Sequence, residues 1–277
     1  MLKLSMKITI ITLFPRMFPG TLGDGLIGKA NFQLEVIDLK QYKSSMGNHM
    51  YIDQRPFGGG EGMLICPRVI ENAMKNIDVG KYIFPSPCGP VFNQQIAERL
   101  SKEEHLVFLC GRYEGIDARA LNHYNFESIS LGDFILCGGE VAAMTIIETI
   151  VRLLKGTLSN EDSIINESFY MGGLLEHDHF CELREWQGHN VPQVLLEGNH
   201  SHINEWKYKN SLSKTITYRP DLFNKYVLAF LFICILQFIN CDFSDIEKIK
   251  RKLYFKNLRQ NSLTNAKIPI FSDSQNK

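Results

Sequence analysis

The run His105 to Cys110 (HLVFLC) shows no apolar–polar alternation, and this limits the folds open to the chain. A strand with one wet face alternates; a strand without alternation is covered on both faces, as in parallel sheets flanked by helices. Similar segments recur. Lys7 to Phe14 is β-branched and stopped by Pro15, Leu34 to Leu39 is a second strand, and 81–86 is a third. Helical signatures alternate with them: one from Pro67 to Ile77, with proline at its first turn, one over 92–101, and a short one capped by Asp117. Short strands near 127–130 and 134–137 precede a helix from Glu140 to Leu154. The order predicts an α/β fold whose largely parallel sheet carries helices on both faces.

Three strand ends close in glycine- or proline-rich turns. Tyr82 to Pro87 runs into Cys88-Gly89-Pro90, His105 to Cys110 into Gly111-Arg-Tyr-Glu-Gly115, and Ser130-Leu-Gly-Asp-Phe-Ile-Leu-Cys-Gly-Gly-Glu140 holds three glycines in eleven residues. Such turns at the carboxyl edge of an open α/β sheet make a ligand crevice. The Gly138-Gly139 turn also opens a helix and so presents free N–H donors.

The helix that follows is apolar almost all round. Thr145, Glu148, Thr149 and Arg152 form one narrow polar stripe, read either as a Glu148–Arg152 pair or as an arginine aimed at a polar site. Between Lys40 and Cys66 lies a long segment containing Asp53-Gln-Arg-Pro-Phe-Gly-Gly-Gly-Glu-Gly-Met63, the composition of a shaped functional loop. It is not a P-loop, because Met63 follows Gly62 where lysine is required. A dinucleotide fingerprint after the first strand is missing as well, since Pro-Arg-Met-Phe-Pro stands there.

With 30 basic and 30 acidic residues the chain has no net charge, so no global field draws it to nucleic acid or membrane, and any RNA partner would have to be met by local basic patches. Seven scattered cysteines without a CxxC indicate reduced, buried thiols and a cytoplasmic protein, without zinc ribbons or a disulfide frame. MLKLSMKITIITLF has too short and broken an apolar core for a signal peptide and reads as a first core strand. Tyr226 to Ile239 is too short to span a bilayer and reads as a buried helix. From Lys155 to Gly173 the chain turns polar, as a linker or lid. Beyond it the chain is mostly helical, with a compact turn at Val191 to His200 and helices over 201–212 and 220–240. The basic run from Ile246 to Gln260 reads as a solvated helix face or a phosphate contact, and the tail from Asn261 as disordered.

Four blocks, Asp53-x-Arg-Pro-Phe-Gly-Gly-Gly-x-Gly-Met63, Cys110-Gly-Arg-Tyr-Glu-Gly-Ile-Asp117, Ser130-x-Gly-Asp-x-x-Leu-x-Gly-Gly-Glu140 and Val194-Leu-Leu-x-Gly-Asn-His200, resemble in residues and order the bacterial tRNA (guanine-N1)-methyltransferase family, TrmD. The resemblance spans roughly residues 7 to 223. It implies a SPOUT-type fold, a knotted, mostly parallel sheet, with a smaller helical C-terminal domain: a catalytic domain over 1–159, a linker or lid over 160–174 and a tRNA-binding domain over 175–277. It also implies a homodimer with active sites at its interface, tRNA as substrate, and methyl transfer from S-adenosylmethionine to N1 of the guanosine just 3′ of the anticodon.

On the same resemblance, the cofactor lies against Pro85, Ser86 and Pro87, against Gly111, Tyr113, Glu114 and Gly115, and against Leu131, Gly132, Asp133, Phe134, Ile135, Leu136, Gly138 and Gly139. Asp53, Arg55, Phe57, Gly58, Gly59, Asn199 and His200 are the implied substrate contacts. Arg152 matches the arginine that faces the target guanine, and Glu167 stands where the family places its general base, an aspartate. The chemistry needs such a carboxylate, because guanine N1 carries a proton and offers no free lone pair until a base removes it. Magnesium is the metal associated with the family, and no ligand spacing here assigns it.

Departures are visible. Glu167 is one methylene longer than aspartate, Gln54 and Ala142 replace an acid and a proline, and Asp178-His-Phe-Cys-Glu-Leu183 stands where Pro-His-Tyr-Thr-Arg-Pro is usual. They motivate an alternative, a non-catalytic RNA-binding relative; a nucleotide-dependent oxidoreductase is the third reading.

Overall fold

The computed structural model describes residues 5–46, 49–158, 167–169 and 173–239. The first four residues, most of the 160–174 linker, the basic run from Ile246 and the tail from Asn261 lie outside the described residues. The chain divides into two compact units, Met1–Met171 and Gly172–Lys277.

The first unit is built on β1 (Met6–Thr12), β2 (Phe32–Asp38), β7 (Lys81–Pro85), β8 (His105–Leu109) and β9 (Glu127–Ile129), joined in the order β2-β1-β8-β7-β9. Every pairing in this sheet is parallel. Helices α1 (Phe18–Gly23), α2 (Gly25–Gly28), α4 (Gln94–Leu100) and α6 (Gly139–Arg152) cover one face, and α3 (Pro67–Met74) and α5 (Ala118–His123) the other. Short hairpins, β3 (Ser44–Met46) with β4 (His49–Tyr51) and β5 (Asp53–Gln54) with β6 (Leu64–Ile65), occupy the long glycine-rich connection.

Strand β8 shows why the alternation is missing. Leu106 and Phe108 pack with Ile8, Ile10, Phe18 and Ile147, while Val107 and Leu109 pack with Ile11, Val69 and Ile70. Successive side chains point to opposite faces, and both faces are buried. Caps start the helices where local sequence directs: Asn93 accepts from the Ile96 N–H at 3.0 Å, Pro67 opens α3, and Asp117 accepts from the Arg119 N–H at 2.9 Å.

The strand expected at 134–137 does not form. Gly132, at φ +152°, turns the chain away from the sheet after β9, and Phe134, Ile135 and Leu136 are exposed. With no neighbouring backbone to pair with, these apolar residues stay irregular and line a cavity. Among the described residues, burial of the thiols holds for Cys66 and Cys110, whereas Cys88, Cys137 and Cys181 are exposed.

The second unit holds the hairpin of β10 (Glu185–Trp186) and β11 (His189–Asn190), then α7 (His200–Tyr218) and α8 (Pro220–Ile239). The helix expected over 201–212 runs on to Tyr218, and Thr215 inside it is fully buried. Of the buried helix expected over Tyr226 to Ile239, most side chains lie outside the described ones, and the described part is not buried. Leu228 and Leu231 of α8 are exposed. Among the described residues no helix is long and apolar enough to cross a membrane.

Candidate functional site

Strands β8, β7 and β9 are neighbours, so their carboxyl ends deliver three bends to one place. After β7 the Ser86 N–H donates to the Ile129 carbonyl at 2.9 Å, tying the first bend to the third. After β8 the Gly115 N–H closes a turn on the Arg112 carbonyl at 3.0 Å, with Tyr113 in the left-handed region at φ +59°. After β9 the Gly132 N–H donates to Ser130 Oγ at 3.1 Å.

The bends enclose a cavity of about 500 Å3. Its wall contains Pro85, Ser86, Pro87, Gly111, Tyr113, Glu114, Gly115, Leu131, Gly132, Phe134, Ile135, Leu136, Gly138 and Gly139. Asp133 is the one expected cofactor contact that the wall leaves out; it is exposed beside the bend. The 131–136 segment meets the cavity through Leu131, Gly132, Phe134, Ile135 and Leu136 instead.

Gly139 permits a close approach. Its N–H donates to the Gly111 carbonyl at 2.9 Å, and a Cβ there would stand 3.1 Å from both Cys110 Cα and Gly111 N. The second and third bends are therefore in backbone contact. Behind this contact is an ion pair that the sequence reading missed. Glu140 is fully buried and accepts from Thr12 Oγ1 and from Arg112 Nε, each at 2.8 Å. Arg112 also donates to the Cys137 carbonyl at 3.1 Å and lies 4.4 Å over the Phe14 ring. The available signal was an acid in the first turn of α6 together with an arginine in a neighbouring bend. Burial pushes the Cys110 thiol well above its usual range, so it behaves as core rather than as a nucleophile.

Arg152 and Glu167 meet at the other end of α6. The Arg152 guanidinium donates from Nη2 to Glu167 Oε1, and both side chains are about one-third exposed. The polar stripe is thus resolved. Thr145 and Thr149 return their hydroxyls to the helix carbonyls of Val141 and Thr145, and Arg152 pairs with Glu167 rather than with Glu148.

The glycine-rich connection forms a second cavity of about 550 Å3, with Arg55, Phe57, Arg68 and Arg119 on its wall. Phe57 is 100% exposed, and Gly58 and Gly59 follow it with left-handed φ. Asp53 reaches back to the first cavity. Burial, aided by the charge of Asp53 and its hydrogen bond, raises the pKa of the Tyr113 phenol. Backbone bonds from Glu114 N to Met63 O and from Ile65 N to Gly115 O, both 3.0 Å, hold the two cavities against each other. In the second unit, Asn199 caps α7, its Oδ1 accepting from the Ser201 N–H at 3.1 Å, and His200 is exposed at the helix start. Among the described residues the grouping close enough to share a metal ion is Glu176, His177 and His179; it lies in that unit.

Comparison with known proteins gives one answer. The profile of a family described as tRNA (guanine-1)-methyltransferase TrmD matches residues 6–225. The tRNA (guanine-N(1)-)-methyltransferase of Clostridium beijerinckii is 44% identical over 231 residues, covering 81% of this chain and 95% of its own. Its counterpart in Staphylococcus carnosus is 43% identical over 231 residues, covering 81% and 93%. That of Listeria monocytogenes is 42% identical over 234 residues, covering 81% and 94%.

Proposed function

The chain belongs to the tRNA (guanine-1)-methyltransferase family, and from that premise we propose that it moves a methyl group from S-adenosylmethionine to N1 of the guanosine immediately 3′ of the anticodon. Methyl transfer to tRNA is the activity of the family; the donor, the nucleotide position and the residue roles are this reading's own. A non-catalytic RNA-binding role finds no support.

The cavity of about 500 Å3 suits the donor. Its volume falls within the range of about 300–1,000 Å3 common for small-molecule sites. The bends offer backbone N–H and C=O groups at the rim, Leu131, Phe134 and Leu136 offer apolar wall for a nucleobase, and Glu114 offers negative charge near a cation. When bound, S-adenosylmethionine supplies a methyl group already activated by its sulfonium. The protein's remaining work is to align acceptor and donor and to free N1 of its proton.

In this reading Glu167 accepts the N1 proton, while the Arg152 guanidinium beside it faces O6 and balances the charge growing there. A carboxylate moved out of water is the stronger base, so closure over the substrate favours the step. Arg55 and Phe57, an exposed cation and an exposed ring in one loop, suit phosphate and base stacking, with Asp53, Gly58 and Gly59 shaping that loop. Asn199 and His200 belong to the second unit, taken with the rest of 175–277 as the tRNA-binding domain after a linker over 160–174.

One observation carries the arrangement. Ala142 is the last residue of α6 on the cavity wall, and Arg152 comes ten residues later, about 15 Å along the axis. Reacting atoms must come within about 3–3.5 Å, so one chain does not bring its own acid–base pair to its own cavity. A two-fold dimer does: the pair of one protomer serves the cavity of its partner. The threaded topology of the family belongs to the same reading, supported by the return of Gly139 onto Gly111. Free thiols and a tRNA substrate fit the cytoplasm. Magnesium finds no ligand set among the described residues of the cavity wall, and no step is assigned to it.

Radiolabelled methyl transfer to tRNA transcripts with guanosine or adenosine at the target position tests the proposal. Incorporation only into the guanosine transcript is expected; equal incorporation into both, or into neither, overturns the assignment.

A further inference from the structure

We propose that the second unit carries a binding site for a divalent first-row transition metal of the zinc type, formed by Glu176, His177 and His179. The carboxylate and the two imidazoles each offer one ligand atom, and these atoms lie within 4.8 Å of one another. His177 and His179 are two residues apart, and their ring centroids lie 4.5 Å from each other.

The segment is fixed in place before any ion arrives. The Leu175 N–H donates to Thr215 Oγ1 at 2.9 Å, and Ser211 Oγ donates to the Leu175 carbonyl. On the other side, the Asp178 N–H donates to Asn210 Oδ1 at 2.8 Å, and Lys214 Nζ donates to the Asp178 carboxylate at 2.7 Å. Asp178 is thereby turned onto α7 and withheld from the cluster. Sites held by such supporting bonds lose less entropy on binding.

Three details favour a metal over an ordinary ion pair. His177 Nδ1 donates to the Asp178 carbonyl at 2.9 Å, the kind of bond that orients a metal-binding ring and turns its other nitrogen outward. Glu176 Oε1 and His179 Nε2 stand 2.9 Å apart, close enough to reach one ion. Ligand atoms on one zinc ion sit about 3.4 Å from each other, so closure asks for side-chain shifts of about an ångström. His177 and His179 also line a cavity of about 490 Å3, leaving room for water at the remaining coordination positions. Two imidazoles with one carboxylate suit zinc and its neighbours, whereas magnesium prefers an all-oxygen set.

Zinc chloride titrated into the full-length protein, followed by calorimetry, tests this. One site per chain is expected, with affinity weakened by more than about tenfold in His177→Ala and in His179→Ala and unchanged in His123→Ala. Magnesium in large excess does not displace the ion. Mass-spectrometric mapping of diethyl pyrocarbonate labelling in the unaltered protein supplies a readout independent of variant folding, with His177 and His179 protected by zinc. Absent uptake, uptake indifferent to both histidine variants, or labelling of the two rings indifferent to zinc each overturns the proposal.

Discussion

At its N-terminal end α6 meets the rest of the protein through backbone: Gly139 lies against Cys110 and Gly111, and the cavity beside it is walled largely by bends. At its C-terminal end Arg152 meets Glu167 side chain to side chain. The first end is rigid, anchored by a buried ion pair and by neighbouring strands. The second is partly exposed, and there Arg152 pairs with a carboxylate in a polar segment. The contrast suits a division of labour: a fixed holder for a small molecule, and an adaptable acid–base pair for a large substrate.

The sharpest way to separate the two ends is Glu167→Gln. Methyl transfer should fall by about 10²–10⁴-fold, the usual share of a general base, while calorimetric donor binding stays intact. Near-normal turnover with an intact fold would remove Glu167 from the mechanism. Arg112→Ala attacks the other end from behind. It leaves the fully buried Glu140 without its cation, and denaturant unfolding should show a loss of about 3–5 kcal/mol.

Gly139→Val presses side-chain atoms into the Cys110–Gly111 backbone and should weaken donor binding by about 10²-fold, the scale of a misplacement near 1 Å. Mixing Gly139→Val and Glu167→Gln chains, each strongly impaired when donor is below saturation, then tests whether the two ends cooperate across protomers. Random re-pairing puts one intact site in half of the dimers, so activity should recover to about a quarter of normal. No recovery would confine both ends to one chain.

The smallest effect concerns the second unit. Hydrogen bonding from Lys214 holds the Asp178 carboxyl below its usual range. The stability it contributes is therefore full above the unfolded value near 3.9 and is lost as pH falls through the lower folded value. Asp178→Asn should flatten this acid-side decline in thermal melts, by less than about 1 kcal/mol because the pair is half exposed.

What could be read from the residues follows the same division. The sheet and its bends depend on local pattern, so HLVFLC followed by Gly-Arg-Tyr-Glu-Gly announced both strand β8 and its turn. Phe134 to Leu136 misled because an apolar run looks alike whether it packs in a sheet or walls a cavity. Arg112 and Glu140 are 28 residues apart, and nothing in local spacing announces a contact made only when two bends meet. Glu167 stands in a polar stretch without periodicity, where only likeness to a family singled it out. Arg152 was ambiguous for a physical reason, since Glu148 sits at the spacing of a helical pair and the competing partner lies outside the helix.

The strand order also governs how the protein comes off the ribosome. Lys7 of β1 pairs with His105 of β8, 98 residues later in the chain. At synthesis rates of about 5–20 residues per second, one edge of β1 waits roughly 5–20 s for its partner. β7, which ends up one place further out, emerges before that partner does. A nascent chain that lets β1 and β7 zip together early must unzip them to admit β8, so translation speed and chaperone supply should govern the yield of native protein.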